Sequence, residues 1–229
     1  MQHWTLFATI RWFLLGFFVF ALAGGFLLVT VDKSTLHLTI NSVYSPILDA
    51  VFVTLTALGD GRASTILVIV FLFIRFRVAI HIAGSSIAGL IVTQTLKYTL
   101  FADALRPKIF FEHSHMLRFV PGVEIFSYNS FPSGHAVTAL ATCFCLAVHF
   151  RRAPAQILLL ILAILIAFSR VYLSQHFFGD IYAGAWIGLF CGAGAAALLG
   201  VDDQRPSRAW MDRSLRSYFG HRRSPASQQ

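Results

Sequence analysis

The sequence predicts an all-α membrane protein, a polytopic bundle of six transmembrane helices. Of its 229 residues, 57% are hydrophobic and only 12% are charged, a composition unlike that of a soluble globular domain. Its longest apolar segments have the length that a helix needs to cross a bilayer. No segment shows the alternating pattern of a membrane β-strand, and helices therefore remain as the spanning element.

Six apolar segments are the predicted spans. The second is the shortest, and Pro46–Leu58 is expected to form a helix that leads into it. Residues 1–200 are therefore expected to form a single membrane domain. The spans cover about residues 10–31, 61–76, 78–97, 134–152, 154–172 and 177–200.

The first apolar segment also has features of a signal peptide. Arg11 precedes the apolar run, and Ala21-Leu22-Ala23 resembles a cleavage site. However, the run continues to Val31, which is longer than the hydrophobic region of a signal peptide. We therefore expect a retained first span.

Basic residues predict the orientation of the bundle. The net charge of +8 comes from residues spread over loop ends, which does not indicate a nucleic-acid partner. Eleven of the 18 Lys and Arg residues fall in one set of loop ends and in the C-terminal segment. The positive-inside rule then predicts that both termini are cytoplasmic. Residues 201–229 are basic and polar, and a disordered cytoplasmic tail that contacts anionic lipid is expected.

The cysteine and histidine patterns predict no metal and no cofactor. Cys143, Cys145 and Cys191 lie inside apolar segments and form no CxxC pair, so we interpret them as small core residues. His113 and His115 are close in sequence, but no carboxylate or cysteine cluster completes a metal site around them.

One polar stretch, from Ser169 to Asp180, interrupts the apolar segments. Ionisable residues at a membrane boundary are costly, so Arg170, His176 and Asp180 indicate function. His176 and Asp180 are four residues apart, a spacing that lets a carboxylate reach one imidazole nitrogen. Arg170 can direct its guanidinium at an oxyanion. The alternative is an interfacial arginine beside an ordinary His–Asp pair at a helix end.

Two other stretches carry polar residues at predicted span ends. Lys97 ends the third span, and Arg106-Pro107 follows it. Pro132-Ser133-Gly134-His135 begins the fourth span, where exposed backbone N–H groups make an anion site. Ser133 adds a hydroxyl there, and His135 adds a proton donor. Taken alone, each stretch has an ordinary explanation. The first can be a basic helix end, and the second can be a capped helix start.

The span count places all three stretches at the same membrane face. Three cations, a helix N-terminus, two imidazoles and one carboxylate at one face describe a phosphate-binding pocket. The separate ordinary explanations do not account for this coincidence. The predicted site comprises Lys97, Arg106, Ser133, Gly134, His135, Arg170, His176 and Asp180.

These stretches resemble the signature of the type 2 phosphatidic acid phosphatase (PAP2) superfamily, which reads K-x6-RP, PSGH and SR-x5-H-x3-D. The second and third motifs match without deviation. In the first motif, eight residues instead of six separate Lys97 from Arg106. The resemblance covers about residues 46–200 and implies a PAP2-type core of the integral-membrane lipid phosphatase branch.

The resemblance implies a mechanism that the residue types support. His176 is the expected nucleophile, which forms a phosphohistidine, and Asp180 orients it. His135 is the expected acid for the leaving group and then the base for water. The phosphate oxygens are expected to bind the remaining predicted residues, Lys97, Arg106, Ser133, Gly134 and Arg170.

The resemblance further implies a metal-independent phosphatase or pyrophosphatase at the periplasmic face of a bacterial-type inner membrane. Its substrate is expected to be a phosphorylated lipid: undecaprenyl pyrophosphate, phosphatidylglycerol phosphate, phosphatidic acid or lipid A. A lipid phosphotransferase on the same scaffold is the alternative, and a non-catalytic channel or transporter is a more distant one. The sequence does not predict the oligomeric state.

A glycine series follows the third motif at four-residue spacing, Gly184, Gly188 and Gly192. Such a series lets another helix approach closely. We expect it to pack the sixth span inside the bundle and thereby to fix His176 and Asp180. A homodimer face is the alternative.

Overall fold

The computed structural model describes residues 6–113, 117–200 and 206–220, and these residues form helices and connecting loops with no strand. The helices are α1 (Leu6–Thr9), α2 (Arg11–Thr30), α3 (Lys33–Ser42), α4 (Pro46–Leu58), α5 (Gly61–Ile74), α6 (Phe76–Thr99), α7 (Pro107–Phe110), α8 (Gly134–His149), α9 (Ala153–Tyr172), α10 (Phe178–Leu199) and α11 (Leu215–Gly220), with a 3-10 helix at Pro206–Asp212.

Helices occupy all six predicted span positions, but they differ in length. Within the described residues, α2, α6, α9 and α10 are long and apolar enough to cross a membrane. By contrast, α5 has 14 residues and α8 has 16. At about 1.5 Å per residue, both are shorter than a hydrocarbon core of about 30 Å. The prediction of an all-helical polytopic membrane protein is confirmed, whereas the count of six spans stays a prediction.

The segment between the first two predicted spans contains two helices joined at an angle of 117°. Asp32 caps α3, and its carboxylate accepts from the N–H groups of Ser34 and Thr35. Ser45 caps α4, and Pro46 fits the first turn because its missing N–H needs no partner there. The predicted lead-in helix is therefore present, and α3 is an additional helix that packs against α9 and α10.

The centre of the bundle is α8, which packs against α6, α9 and α10. The glycine series of α10 faces it. A Cβ atom at Gly184 would lie 2.7 Å from the carbonyl oxygen of Ser133, and one at Gly188 would lie 2.5 Å from that of Val137. These glycines therefore allow α10 to approach the backbone of α8, as predicted, and α8 covers the face that a homodimer would have used. Cys143 and Cys145 are buried in two hydrophobic clusters, as predicted, whereas Cys191, also predicted to be a core residue, is only half-buried.

The C-terminal segment differs from the predicted disordered tail over residues 206–220, which form a 3-10 helix and α11. Asp212 accepts from Arg75 at 2.5 Å and from Arg77 at 3.1 Å. Phe76 also donates its N–H to the carbonyl of Arg213. The side chain of Arg77 is buried, and a buried guanidinium needs a carboxylate partner, which this segment provides. The rest of the predicted tail lies outside the described residues.

Candidate active site

All eight predicted site residues lie at the same end of the bundle. The end of α6, the start of α8, the end of α9 and the start of α10 meet there. The N–H of Ser133 donates to the carbonyl of Asp180 at 3.0 Å, which joins the second motif to the third. Lys97 interacts electrostatically with Arg106, Arg170 and Asp180.

His176 and Asp180 form the predicted pair. The Nδ1 atom of His176 lies 3.4 Å from Oδ2 of Asp180, and only 2% of the histidine is exposed. Burial lowers the pKa of His176 to about 4, although Asp180 opposes that shift. The ring is therefore neutral at pH 7. Because Nδ1 donates to the carboxylate, Nε2 keeps its lone pair, as a nucleophile requires.

Two further donors hold the carboxylate of Asp180. The same oxygen accepts from Oγ of Ser130 at 2.5 Å and from the N–H of Phe177 at 2.9 Å. Asp180 therefore caps the first turn of its own helix while it orients His176. Ser130 is not among the predicted site residues, because its contact with Asp180 depends on a loop fold that no sequence spacing indicates.

The two arginines are held without a carboxylate partner among the described residues. Arg170 donates to Oγ1 of Thr56 at 2.7 Å and to Oε1 of Gln175 at 3.3 Å, and its Nε has no partner. Arg106 donates to the carbonyls of Gln175 at 3.0 Å and Tyr128 at 2.8 Å. Both charges are thus fixed in place and available to an anion. Gln175, which contacts both arginines, was also missed by the sequence analysis.

The start of α8 has the features of an anion site. Ser133 is fully buried, and its hydroxyl has no partner among the described residues. Gly134 and His135 follow it in the first turn, whose free N–H groups favour an anion. His135 interacts electrostatically with Arg170 and His176. Gly59 lies against it, since a Cβ there would come within 3.2 Å of the imidazole.

The eight-residue gap in the first motif does not remove Lys97 from the site. The last turn of α6 carries Lys97, and the additional residues form the loop after Thr99. That loop folds back, because the carbonyl of Ala104 accepts from the N–H of Ser130 at 3.0 Å. Arg106 then reaches the site from the far end of the loop.

A turn with left-handed backbone precedes His176. Ser174 has a φ of 53° and is fully buried, which is unfavourable for a residue other than glycine. Its hydroxyl accepts from Nδ2 of Asn41 at 3.0 Å and lies 3.3 Å from Nε2 of His37. Asn41 also bonds the backbone of Arg118 through both its amide atoms. Helix α3 therefore supports the turn that carries His176, a role that the sequence analysis did not predict.

A groove of about 790 Å³ descends from the site between α5, α6 and α8. Lys97, Gly134 and His135 line its upper end, and Ile66, Ile87 and Leu90 are among the residues along its length. Among the described residues, no group of three or more His, Cys, Asp or Glu is placed to hold a metal ion. His113 is described, whereas His115 lies outside the described residues.

Comparison with known proteins agrees with this geometry. Residues 78–204 match the pattern of the PAP2 superfamily. The chain belongs to the PAP2 superfamily. It is 26% identical to a lipid A 4'-phosphatase of Porphyromonas gingivalis over 167 residues, and this aligned region covers 70% of each chain. The family membership predicted from the three motifs is confirmed, and with it the enzyme class, a membrane phosphatase.

Two solved structures share this fold. Aquifex aeolicus LpxE aligns with a TM-score of 0.64 and 26% identity, covering 72% of this chain and 94% of that one. A PAP2-type phosphatidylglycerolphosphate phosphatase of Bacillus subtilis aligns with a TM-score of 0.60 and 21% identity, covering 83% of this chain and 97% of that one. The family match begins at residue 78, so α3 lies outside it.

Proposed function

We propose that this PAP2 protein hydrolyses a phosphomonoester or pyrophosphate of a membrane lipid through a phosphohistidine. One observation carries the proposal: a neutral, buried His176 lies beside three cationic side chains, and one of these, Lys97, lines with His135 the upper end of a groove that descends between helices. A phosphate at the upper end of this groove would meet the cations, while its lipid chain would extend along the groove. The relative named as a lipid A 4'-phosphatase supports this substrate class.

In the first step, Nε2 of His176 attacks phosphorus in line with the lipid oxygen. The bond from phosphorus to that oxygen breaks, and His135 donates a proton to the leaving group, which is a lipid alcohol from a phosphomonoester and a lipid monophosphate from a pyrophosphate. Asp180 stabilises the positive charge that develops on the imidazole ring. Lys97, Arg106 and Arg170, together with Ser133 and the Gly134 amide, bind the non-bridging oxygens.

In the second step, water attacks the phosphohistidine and His135 removes its proton. The bond between phosphorus and Nε2 breaks, so that inorganic phosphate leaves and His176 returns to its neutral form. A lipid alcohol in place of water would make the protein a phosphotransferase. The candidate substrates are undecaprenyl pyrophosphate, phosphatidylglycerol phosphate, phosphatidic acid and lipid A.

The proposed topology has six spans in a bacterial-type inner membrane, with the site facing the periplasm and both termini in the cytoplasm. It rests on the excess of basic residues at one set of helix ends. Asp103 and Arg213 are both exposed and lie at opposite ends. Cysteines introduced there should react with an impermeant reagent from outside and from inside, respectively. Labelling of both from one side would contradict this topology.

The test of the function is phosphate release from the four candidate lipids by purified protein in detergent with EDTA. His176→Ala should abolish turnover with the fold intact. His135→Ala keeps the nucleophile, so it should still form the intermediate from an aryl phosphate, whose leaving group needs little protonation. An acid-labile, alkali-stable phosphoryl-enzyme should then be trapped with His135→Ala and be absent with His176→Ala. A label on another residue would refute the proposed nucleophile.

A further inference from the structure

Polar side chains line the groove just below the proposed catalytic residues, at a depth where a lipid chain is expected. Gln94 on α6 is exposed and Thr138 on α8 is half-buried, and both line the groove. Neither side chain has a hydrogen-bond partner among the described residues. An amide or hydroxyl that faces hydrocarbon without a partner is costly, so these two groups call for a partner from a ligand.

Helix geometry puts both groups at a similar depth in the groove. Gln94 comes three residues before Lys97 on α6, which ascends toward the site, and Thr138 comes three residues after His135 on α8, which descends from it. At 1.5 Å per residue, each lies about 4.5 Å below its partner in the site. Two donors on neighbouring helices therefore form one polar level directly under the phosphate position.

Two further hydroxyl groups line the groove beyond this level. Thr93 and Ser86 also line it, and their buried hydroxyls have no partner among the described residues. Five other helical threonines pair their hydroxyls within the helix by donating to the carbonyl four residues earlier, namely Thr30, Thr39, Thr54, Thr65 and Thr99, whereas Thr93, like Thr142, leaves its hydroxyl unpaired. The hydroxyl of Thr93 is thus unpaired on a helix where the usual carbonyl partner would be one turn away.

We propose that Gln94 and Thr138 form a subsite for the ester or amide carbonyl of an acyl chain. In an acylated phospholipid or glycolipid, such a carbonyl lies a few bonds from the phosphate, and both side chains can donate to it. A polyprenyl chain carries no acceptor and would leave both groups unpaired, which is unfavourable. Resting on the proposed function, this inference narrows the substrate class to acyl-linked lipids.

The test compares lipids that differ only at the carbonyl. Wild type, Gln94→Leu and Thr138→Val are each assayed with three substrates. These are phosphatidic acid, its dialkyl ether analogue of equal chain length, and a polyprenyl phosphate. Each substitution should reduce kcat/KM for the ester lipid by about fivefold to tenfold, the size of one neutral hydrogen bond. Activity on the ether lipid and on an aryl phosphate should stay unchanged. Thr142→Val is the matched control, since Thr142 is buried on α8 with an unpaired hydroxyl outside the groove.

Each outcome has one meaning. If wild type prefers the ester lipid and either substitution removes that preference, the subsite is supported. If wild type hydrolyses ester, ether and polyprenyl substrates equally, or if both substitutions lower all activities together, the proposal is wrong although the protein is still a phosphatase. If no substrate, including the aryl phosphate, releases phosphate, the proposed function itself fails.

Discussion

Replacing Asp180 by asparagine separates the charge of this side chain from its shape. In the structure, one carboxylate oxygen accepts from His176, Ser130 and Phe177. Ser130 and Phe177 are both donors, so they should hold the oxygen of the new amide in the same position. The NH2 group then points away from His176, and the imidazole keeps its tautomer.

The expected loss is therefore that of the charge alone. A hydrogen bond to a charged group contributes about 1.5–3 kcal/mol, which corresponds to roughly a 10- to 150-fold decrease in kcat. A wrong tautomer would cost far more, on the scale of the 10⁴-fold loss known from the serine triad. The assay is phosphate release at saturating lipid, with Asp103→Asn as a control because Asp103 is exposed in the loop after α6.

A double substitution tests whether Ser130 holds the new amide in place. Ser130→Ala removes one of the two donors that hold the amide, so the amide can rotate and donate to His176. Asp180→Asn with Ser130→Ala should thus lose more activity than the product of the two single losses. If Asp180→Asn alone lowers kcat less than threefold, the charge of Asp180 does not stabilise the developing imidazolium. If it alone causes about a 10⁴-fold loss in a folded protein, Ser130 and Phe177 do not fix the amide.

Three other expectations are simpler to test. Lys97→Ala should reduce kcat by about 10²-fold or more, the scale of one transition-state charge contact, and Lys97→Arg should retain only part of the wild-type activity. Near-normal activity of Lys97→Ala would place Lys97 outside the site. Asn41→Ala should lower kcat about tenfold with little change in KM, because the left-handed turn at Ser174 loses its support. Adding Ser174→Gly should restore part of the rate, whereas no effect of Asn41→Ala would refute this role. Burial lowers the pKa of His176 to about 4, so the nucleophile stays neutral above that pH. After correction for substrate ionisation, kcat/KM should therefore fall only near pH 4, and a fall near pH 6.5 would contradict this neutral state.

Much of this protein follows from local sequence. Apolar segments of bilayer length determine where the spanning helices form, because lipid leaves the backbone no other partner than itself. The spacing of His176 and Asp180 determines that they can pair across a helix start, and the series from Gly184 to Gly192 determines which face of α10 packs closely. The eight predicted site residues come from motifs whose residue types suit phosphate binding.

The tertiary structure decided what depends on contacts between distant segments. Helix α3 contacts the turn that carries His176 through pairs such as Asn41 and Ser174, which are 133 residues apart. Ser130 and Gln175 are ordinary polar residues in the sequence, and only the fold of the loops brings their atoms to Asp180 and to the two arginines. Residues 206–220 pack against α5 and α6, where Arg75 and Arg77, far away in the chain, pair with Asp212. A local pattern carries no information about such partners, since the free energy of each contact depends on burial that only the assembled bundle creates.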